Sequence, residues 1–387
     1  MSHVLKDREH VFALHRRTEC DGYHFSPFAE VSTSSRITFR SALSMNLRPI
    51  SFVWHGKLDD FTTSLAWSPD GKLLAVAAVS GQVAIYDAQQ GRAVHLFEQA
   101  HADGCDAVAW RPDGNALATA GRDGKWKLWD TADGKVLAEH EAGAMWAEHL
   151  AWSAPAVAGQ PPLLALGAGN KLTLWTEKGE PTEHAVKFPK TITDVAWILN
   201  STTLAVATSN AISLRTPATL AEERLFNSRD PILNMAFSPS GKWLMTGNQD
   251  CSVHVWNTDN GIEMHMRGFP AKVRQLAWHR ASRWLATGGG PSISVWDCSG
   301  RGPEGRTPLL LEWHSDAVSA LHYQPQGDWL ASGARDGSIG VWSPTQRQNQ
   351  ISRAKIPSGV TRLAWSPDGK VLAVAGEEGE VQALAVE

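Results

Sequence analysis

A chain of 387 residues with 43% hydrophobic and 20% charged residues has the composition of a soluble globular protein, long enough for two or three ordinary domains. Its formal net charge of −4 gives no electrostatic reason to expect nucleic-acid or anionic-membrane binding. The four cysteines, Cys20, Cys105, Cys251 and Cys298, lie far apart with no C-x-x-C, which argues against a disulfide scaffold and for a reducing, cytoplasmic setting.

Residues 1–49 are polar and weakly patterned, and read as an irregular or disordered N-terminal extension. Met1 to Arg17 is charged and interrupted, so it lacks the apolar core of a signal peptide. His3, His10, His15, Cys20 and His24 fall here, but no pair has the short spacing of a zinc site, and no metal is expected. Met45 leads directly into the first strand and reads as the native start, with residues 1–44 as an upstream extension. No apolar run further on reaches transmembrane length; the longest, Leu73 to Ile85, is broken by Ser80-Gly81-Gln82.

From Ile50 to the end the chain repeats. Eight pairs of a small or polar residue and an aromatic recur: Ala66-Trp67, Ala109-Trp110, Ala151-Trp152, Ala196-Trp197, Ala236-Phe237, Ala277-Trp278, His322-Tyr323 and Ala364-Trp365. The aromatics are 43, 42, 45, 40, 41, 45 and 42 residues apart, the period of a radial β-repeat. The second unit is the clearest. Asp106 to Trp110 is a β-rich run, Arg111-Pro112-Asp113-Gly114 a turn, and Ala116 to Ala120 the next strand. Arg122-Asp123-Gly124 turns again into Lys125 to Asp130, whose polar and apolar residues alternate as in a half-buried strand. After Asp133-Gly134, Val136 to Glu139 begins a fourth strand.

These residues resemble the WD-repeat (WD40) β-propeller family over about residues 50–387. The motifs are Trp-Ser-Pro-Asp-Gly-Lys at 67–72 and 365–370, Phe-Ser-Pro-Ser-Gly-Lys at 237–242, and the endings Trp129-Asp130 and Trp296-Asp297, with Trp256-Asn257 and Trp342-Ser343 as close variants. The resemblance implies a buried His, Ser or Thr, Asp and Trp network within a blade. His101, Thr119, Asp123 and Trp129 match it, as do His314, Ser332, Asp336 and Trp342 at identical spacing. Thr246, Asp250 and Trp256 form a third set, with Ser228 at the His position. A buried Asp needs donors, and an imidazole linking it to a hydroxyl and an indole satisfies several polar groups at once. The motif recurs between blades as a structural tie should, so it reads as structural and not as a catalytic triad.

Unit eight ends with Val381 to Val386 and lacks a fourth strand. Ile50 to Trp54 can supply it: Trp54 lies 13 residues before Trp67, just as Phe97, the end of strand Ala93–Phe97, lies 13 before Trp110. The fold is therefore expected to be all-β: a closed propeller of eight four-stranded blades over residues 50–387, clasped by its N-terminal strand, with seven blades as the alternative. The third unit carries a long loop, Ser153 to Pro162, and the fourth has Leu214-Arg215 in place of Trp-Asp. Ser299 to Pro308 reads as a loop before unit seven, and the sequon at Asn200 as chance.

With strands a to d antiparallel, the d–a and b–c loops share one face, a common docking surface in WD propellers. Candidates on the d–a loops are Phe61, Trp146, Glu148, Lys272 and Arg274; the b–c turns add Arg122, Gln249 and Arg335. Trp146 lies outside the repeated Trp positions, flanked by Met145 and Glu148, and reads equally as a hot spot or as a cover for its own blade. Arg122 and Arg335 precede Asp123 and Asp336 and could simply screen them. There is no G-x-x-x-x-G-K-[ST], H-E-x-x-H or G-x-S-x-G, and Gly288-Gly289-Gly290 runs into Pro291 as a tight turn, not a phosphate loop. The reading is a non-enzymatic scaffold for protein or peptide partners, a monomeric propeller within a complex, without cofactor, nucleic acid or membrane. The alternative is a propeller handling a small molecule or metal in its channel or through its His-rich arm.

Overall fold

The computed structural model describes residues 47–143, 146–154, 161–199, 201–344 and 350–386. Residues 1–46 of the N-terminal extension, with its histidines, and Met145, Asn200 and most of the 153–162 loop lie outside the described residues. The described residues form thirty-two strands in eight four-stranded antiparallel sheets, the eight blades of a β-propeller. Among the described residues no helix is long and apolar enough to cross a membrane.

Local chemistry builds each blade. In blade 2 the strands are Cys105–Trp110, Ala116–Gly121, Lys125–Asp130 and Val136–Glu141. The turn after Trp110 closes with Gly114 N–H donating to Arg111 O at 2.8 Å, and Gly114 takes a φ of 76° that favours glycine. The Asp113 carboxylate caps it by accepting from the Asn115 N–H at 3.0 Å. Strand b is buried throughout, while strand d alternates between half-buried and exposed residues, so burial falls from the middle of the blade to its rim.

The core is divided among the seams. Eight apolar clusters occur, and each joins residues of two neighbouring blades. Between blades 1 and 2, for example, Ala75, Ala77, Val83 and Ile85 pack on Cys105, Val108, Trp110 and Leu117. A single blade has no core of its own, which is why the ring must close.

Closure is made by Ile50–Lys57, which pairs antiparallel with Glu380–Val386 from Ile50↔Val386 to Lys57↔Glu380. Trp54 faces Ala383 across this ladder, is 5% exposed, and stacks on Tyr86 of blade 1 with ring centres 5.5 Å apart. Its indole N–H donates to Ala88 O at 2.7 Å. The clasp thus belongs to blade 8 by its backbone and holds blade 1 by its side chain. Eight blades, not seven, follow.

All eight aromatics end the innermost strand of their blade. In four of them the indole N–H donates to the carbonyl of the small residue in the preceding blade's pair: Trp67 to Ala364, Trp110 to Ala66, Trp152 to Ala109 and Trp197 to Ala151, at 2.9–3.2 Å. The small–aromatic pair is therefore a tie between blades as well as a packing unit. The degenerate fourth unit still forms its blade: Ala211–Arg215 pairs on both sides, and Leu214 is buried where a tryptophan would stand.

Candidate functional site

The ends of the innermost strands shape the channel mouth. In seven blades the ladder slips at the same point, four residues before the aromatic, leaving Thr63, Asp106, Glu148, Thr193, Leu233, Ser319 and Thr361 as bulged residues. A bulge ends regular pairing and re-aims a side chain; these positions lie at the strand ends next to the d–a loops, with Thr63 and Thr361 buried there. In blade 6 the strand is short, Leu276–Trp278, and Arg274 takes the corresponding place.

The ring is polarised. Asp106 and Glu148 stand at the bulges of blades 2 and 3, and Asp194 one residue further along in blade 4. Across the channel are Arg274 in blade 6 and Arg362 in blade 8. Asp194 accepts backbone N–H groups from Val195 at 2.8 Å and Met235 at 3.0 Å, yet enclosure by protein raises its pKa above the usual carboxylate range, against the opposing pull of His149. Arg362 is reachable by water within the channel but surrounded by protein, which lowers its pKa; its guanidinium donates to Thr361 O at 2.9 Å.

Four of the sequence candidates meet at one cavity of about 600 Å³ on this face: Phe61, Lys272, Arg274 and Arg335. Arg362 and Glu377 join them, and Gly289 and Gly290 give it bare backbone, with φ near 150° in a turn that holds no helix start. The guanidinium groups of Arg274, Arg335 and Arg362 form no ion pair among the described residues.

A second cavity of about 410 Å³ brings together Asp103, Arg122, Asp123 and Trp146. Trp146 is 55% exposed. Arg122 departs from expectation. It does not screen Asp123 but grips the bulged Asp106 with two nitrogens, Nη2 to Oδ1 at 2.9 Å and Nε to Oδ2 at 3.0 Å. This bidentate pairing raises its pKa, with Glu148 adding a weaker pull. Gln249 is exposed in its b–c turn, its backbone N–H donating to Pro231 O at 2.9 Å, and lines neither cavity.

The buried networks differ from one another. In blade 2, Trp129 Nε1–H donates to Thr119 Oγ1 at 2.9 Å, Thr119 lies 2.8 Å from His101 Nε2, and His101 Nδ1 lies 2.9 Å from Asp123. Since indole only donates, the hydroxyl hydrogen points to Nε2 and the neutral imidazole gives its Nδ1–H to Asp123. In blade 7 the chain runs Trp342, Ser332, His314, but Ser338 stands between His314 and Asp336. Lys125 occupies the matching position in blade 2, so no hydroxyl intervenes there. Burial depresses His314 to about 4. The third set does not assemble. With Ser228 in place of histidine, Thr246 Oγ1 is buried without a partner, and Ser228 Oγ donates to Asp230 O.

Comparison with known families places the fold. Residues 91–130, 223–257, 263–297 and 306–343 match the family "WD domain, G-beta repeat". Residues 44–105 and 341–387, which meet across the closing blade, match the "Anaphase-promoting complex subunit 4 WD40 domain". The chain belongs to the WD-repeat family. This WD-repeat propeller is 30% identical over 154 residues to an intraflagellar transport protein 122 homolog of Danio rerio, covering 39% of the chain and 12% of that protein. It is 25% identical over 197 residues to transducin beta-like protein 2 of Mus musculus, covering 47% of the chain and 45% of the relative. The chain thus spans less than half the length of these relatives. Its fold is that of the computationally designed Ika8 protein, with a TM-score of 0.69 at 19% identity over 85% of this chain and 98% of that one.

Sequence reading missed Asp106, Asp194, Arg362 and Glu377. Three of them had a signal. Counting back from each aromatic puts Asp106 on the same place as Glu148 and Arg274, and Arg362 on the same place as Asp194.

Proposed function

We propose that this WD-repeat propeller is a non-enzymatic scaffold whose d–a/b–c face docks an acidic segment of a protein partner at the basic side of the channel mouth. One observation carries the reading. Arg274, Arg335 and Arg362 converge with Lys272 and the half-exposed Phe61 on one cavity, opposed by Glu377 alone among carboxylates of its lining. Arginines without a carboxylate partner next to an aromatic are the residues that anchor an acidic, aromatic-containing peptide. A monomeric disc fits the closure, which pairs Glu380–Val386 on both sides and leaves that strand no free edge for a second copy.

The test is fluorescence anisotropy with a labelled peptide of glutamates around one tryptophan, against the full chain. We expect saturable binding that weakens as salt rises, and a loss of at least about tenfold in the Arg274→Glu/Arg335→Glu variant, the scale of one charge pair lost at an interface. Equal affinity in the variant, at an unchanged melting temperature, overturns the reading.

A further inference from the structure

Blade 5 has Ser228 at the histidine position of its network and carries a buried histidine elsewhere. His254 lies on the third strand, Val253–Asn257, opposite Thr246, with its side chain 1% exposed. Its Nδ1 lies 2.8 Å from Glu263 Oε1 on the outer strand, Glu263–Met266. A carboxylate only accepts, so Nδ1 carries the hydrogen and Nε2 presents a lone pair. That Nε2 is buried without a hydrogen-bond partner.

Two acids face it. Asp230 comes from the d–a loop entering blade 5, and Asp250 from its b–c turn; one ligand atom from each of Asp230, Asp250 and His254 lies within 4.8 Å of the other two. Asp230 Oδ2 is 3.5 Å from Nε2. A lone pair and two carboxylates turned toward one point repel unless a cation sits between them. The Asp250 Oδ1 atom is held by Ser252, through its N–H at 3.2 Å and its hydroxyl, which fixes the carboxylate.

We propose that His254 Nε2, Asp230 and Asp250 bind a zinc ion, with Glu263 as the carboxylate that orients the histidine. Two ligands about 2.1 Å from a tetrahedral zinc stand about 3.4 Å apart, close to the observed separation of Nε2 and Asp230. A carboxylate on the far nitrogen of the imidazole is the usual support for such a ligand. Asp230 is half-buried and Asp250 exposed, which gives the ion a way in. Three ligands from a loop, a turn and a strand make the ion a clamp across blade 5, where the hydroxyl–histidine network is missing.

The full chain is stripped with a chelator, given zinc, desalted, and assayed for metal content by elemental analysis and for melting temperature. We expect about one zinc per chain and a higher melting temperature with the ion. Asp230→Asn/Asp250→Asn, both at accessible positions, should lose the ion and the shift while keeping the metal-free melting temperature. His254→Ala should lose the ion, and His265→Ala should keep it. No stoichiometric zinc in the wild type, or zinc retained by the double Asn variant, overturns the proposal. So does loss of zinc in His265→Ala, which would put the ion on the Glu263 side of the ring.

Discussion

Trp67 Nε1 donates a hydrogen bond to the carbonyl oxygen of Ala364 at 3.0 Å, across 297 residues of sequence and the seam at which the ring closes. The same bond links blades 1 to 2, 2 to 3 and 3 to 4. The small residue of each pair lets the next blade's indole approach its carbonyl, and the aromatic reaches back to it.

Trp110 separates the packing and hydrogen-bonding parts of this tie. It is 7% exposed and donates to Ala66 O at 2.9 Å. Trp110→Phe keeps most of the buried surface and strands one carbonyl, so it should cost about 1–2 kcal/mol. Trp110→Ala also empties the seam and should cost about 3–5 kcal/mol. Urea unfolding of the two variants measures both, and an unchanged Trp110→Ala contradicts the core assignment.

The clasp depends on Trp54, which joins a strand of blade 8 to Tyr86 and Ala88 of blade 1. Trp54→Ala should destabilise by about 3–5 kcal/mol. It should also expose the Glu380–Val386 edge to intermolecular pairing, which size-exclusion chromatography detects as aggregation on mild heating.

The two complete networks should make stability fall in acid. His314 titrates near 4 in the folded chain against an ordinary 6.5. Between those values the unfolded chain binds the extra proton, so the stabilisation is full above about pH 7 and lost as pH falls towards 4. The shift corresponds to about 3 kcal/mol over the full window. His101 is depressed in the same direction by burial, and Asp336 lies below the usual carboxylate range, so both add loss on the acid side. His314→Gln cannot titrate, and its urea midpoint should change less between pH 7.5 and pH 5 than that of the wild type.

Arg122 and Arg335 occupy matching turns but do different work. Arg122 holds Asp106, whose side chain is only 14% exposed, whereas Arg335 pairs with no acid among the described residues. Arg122→Ala should lower stability by about 1 kcal/mol, and Arg335→Ala should stay within about 0.5 kcal/mol of the wild type. Equal effects on melting temperature would show that the Asp106 pair contributes nothing.

The sequence by itself determined the architecture. A period counted from eight aromatics, turns marked by Pro-Asp-Gly, and an unpaired last strand matched by Ile50–Trp54 are local facts, and each repeat can be read alone. It also placed Phe61, Lys272, Arg274 and Arg335 on one face, because antiparallel strands fix which loops share an end. Tertiary structure decided how side chains pair across blades. Arg122 turns to Asp106, a bulged residue at the end of its strand, and not to its neighbour Asp123. Ser338 enters one network and Lys125 leaves the other direct, a difference of side-chain reach that motif spacing ignores. The acids Asp230 and Asp250 meet His254 only because a loop, a turn and a strand converge on the same end of blade 5. Spacing along a chain reports periodic backbone geometry; it does not report which groups are left facing one another once that geometry has closed.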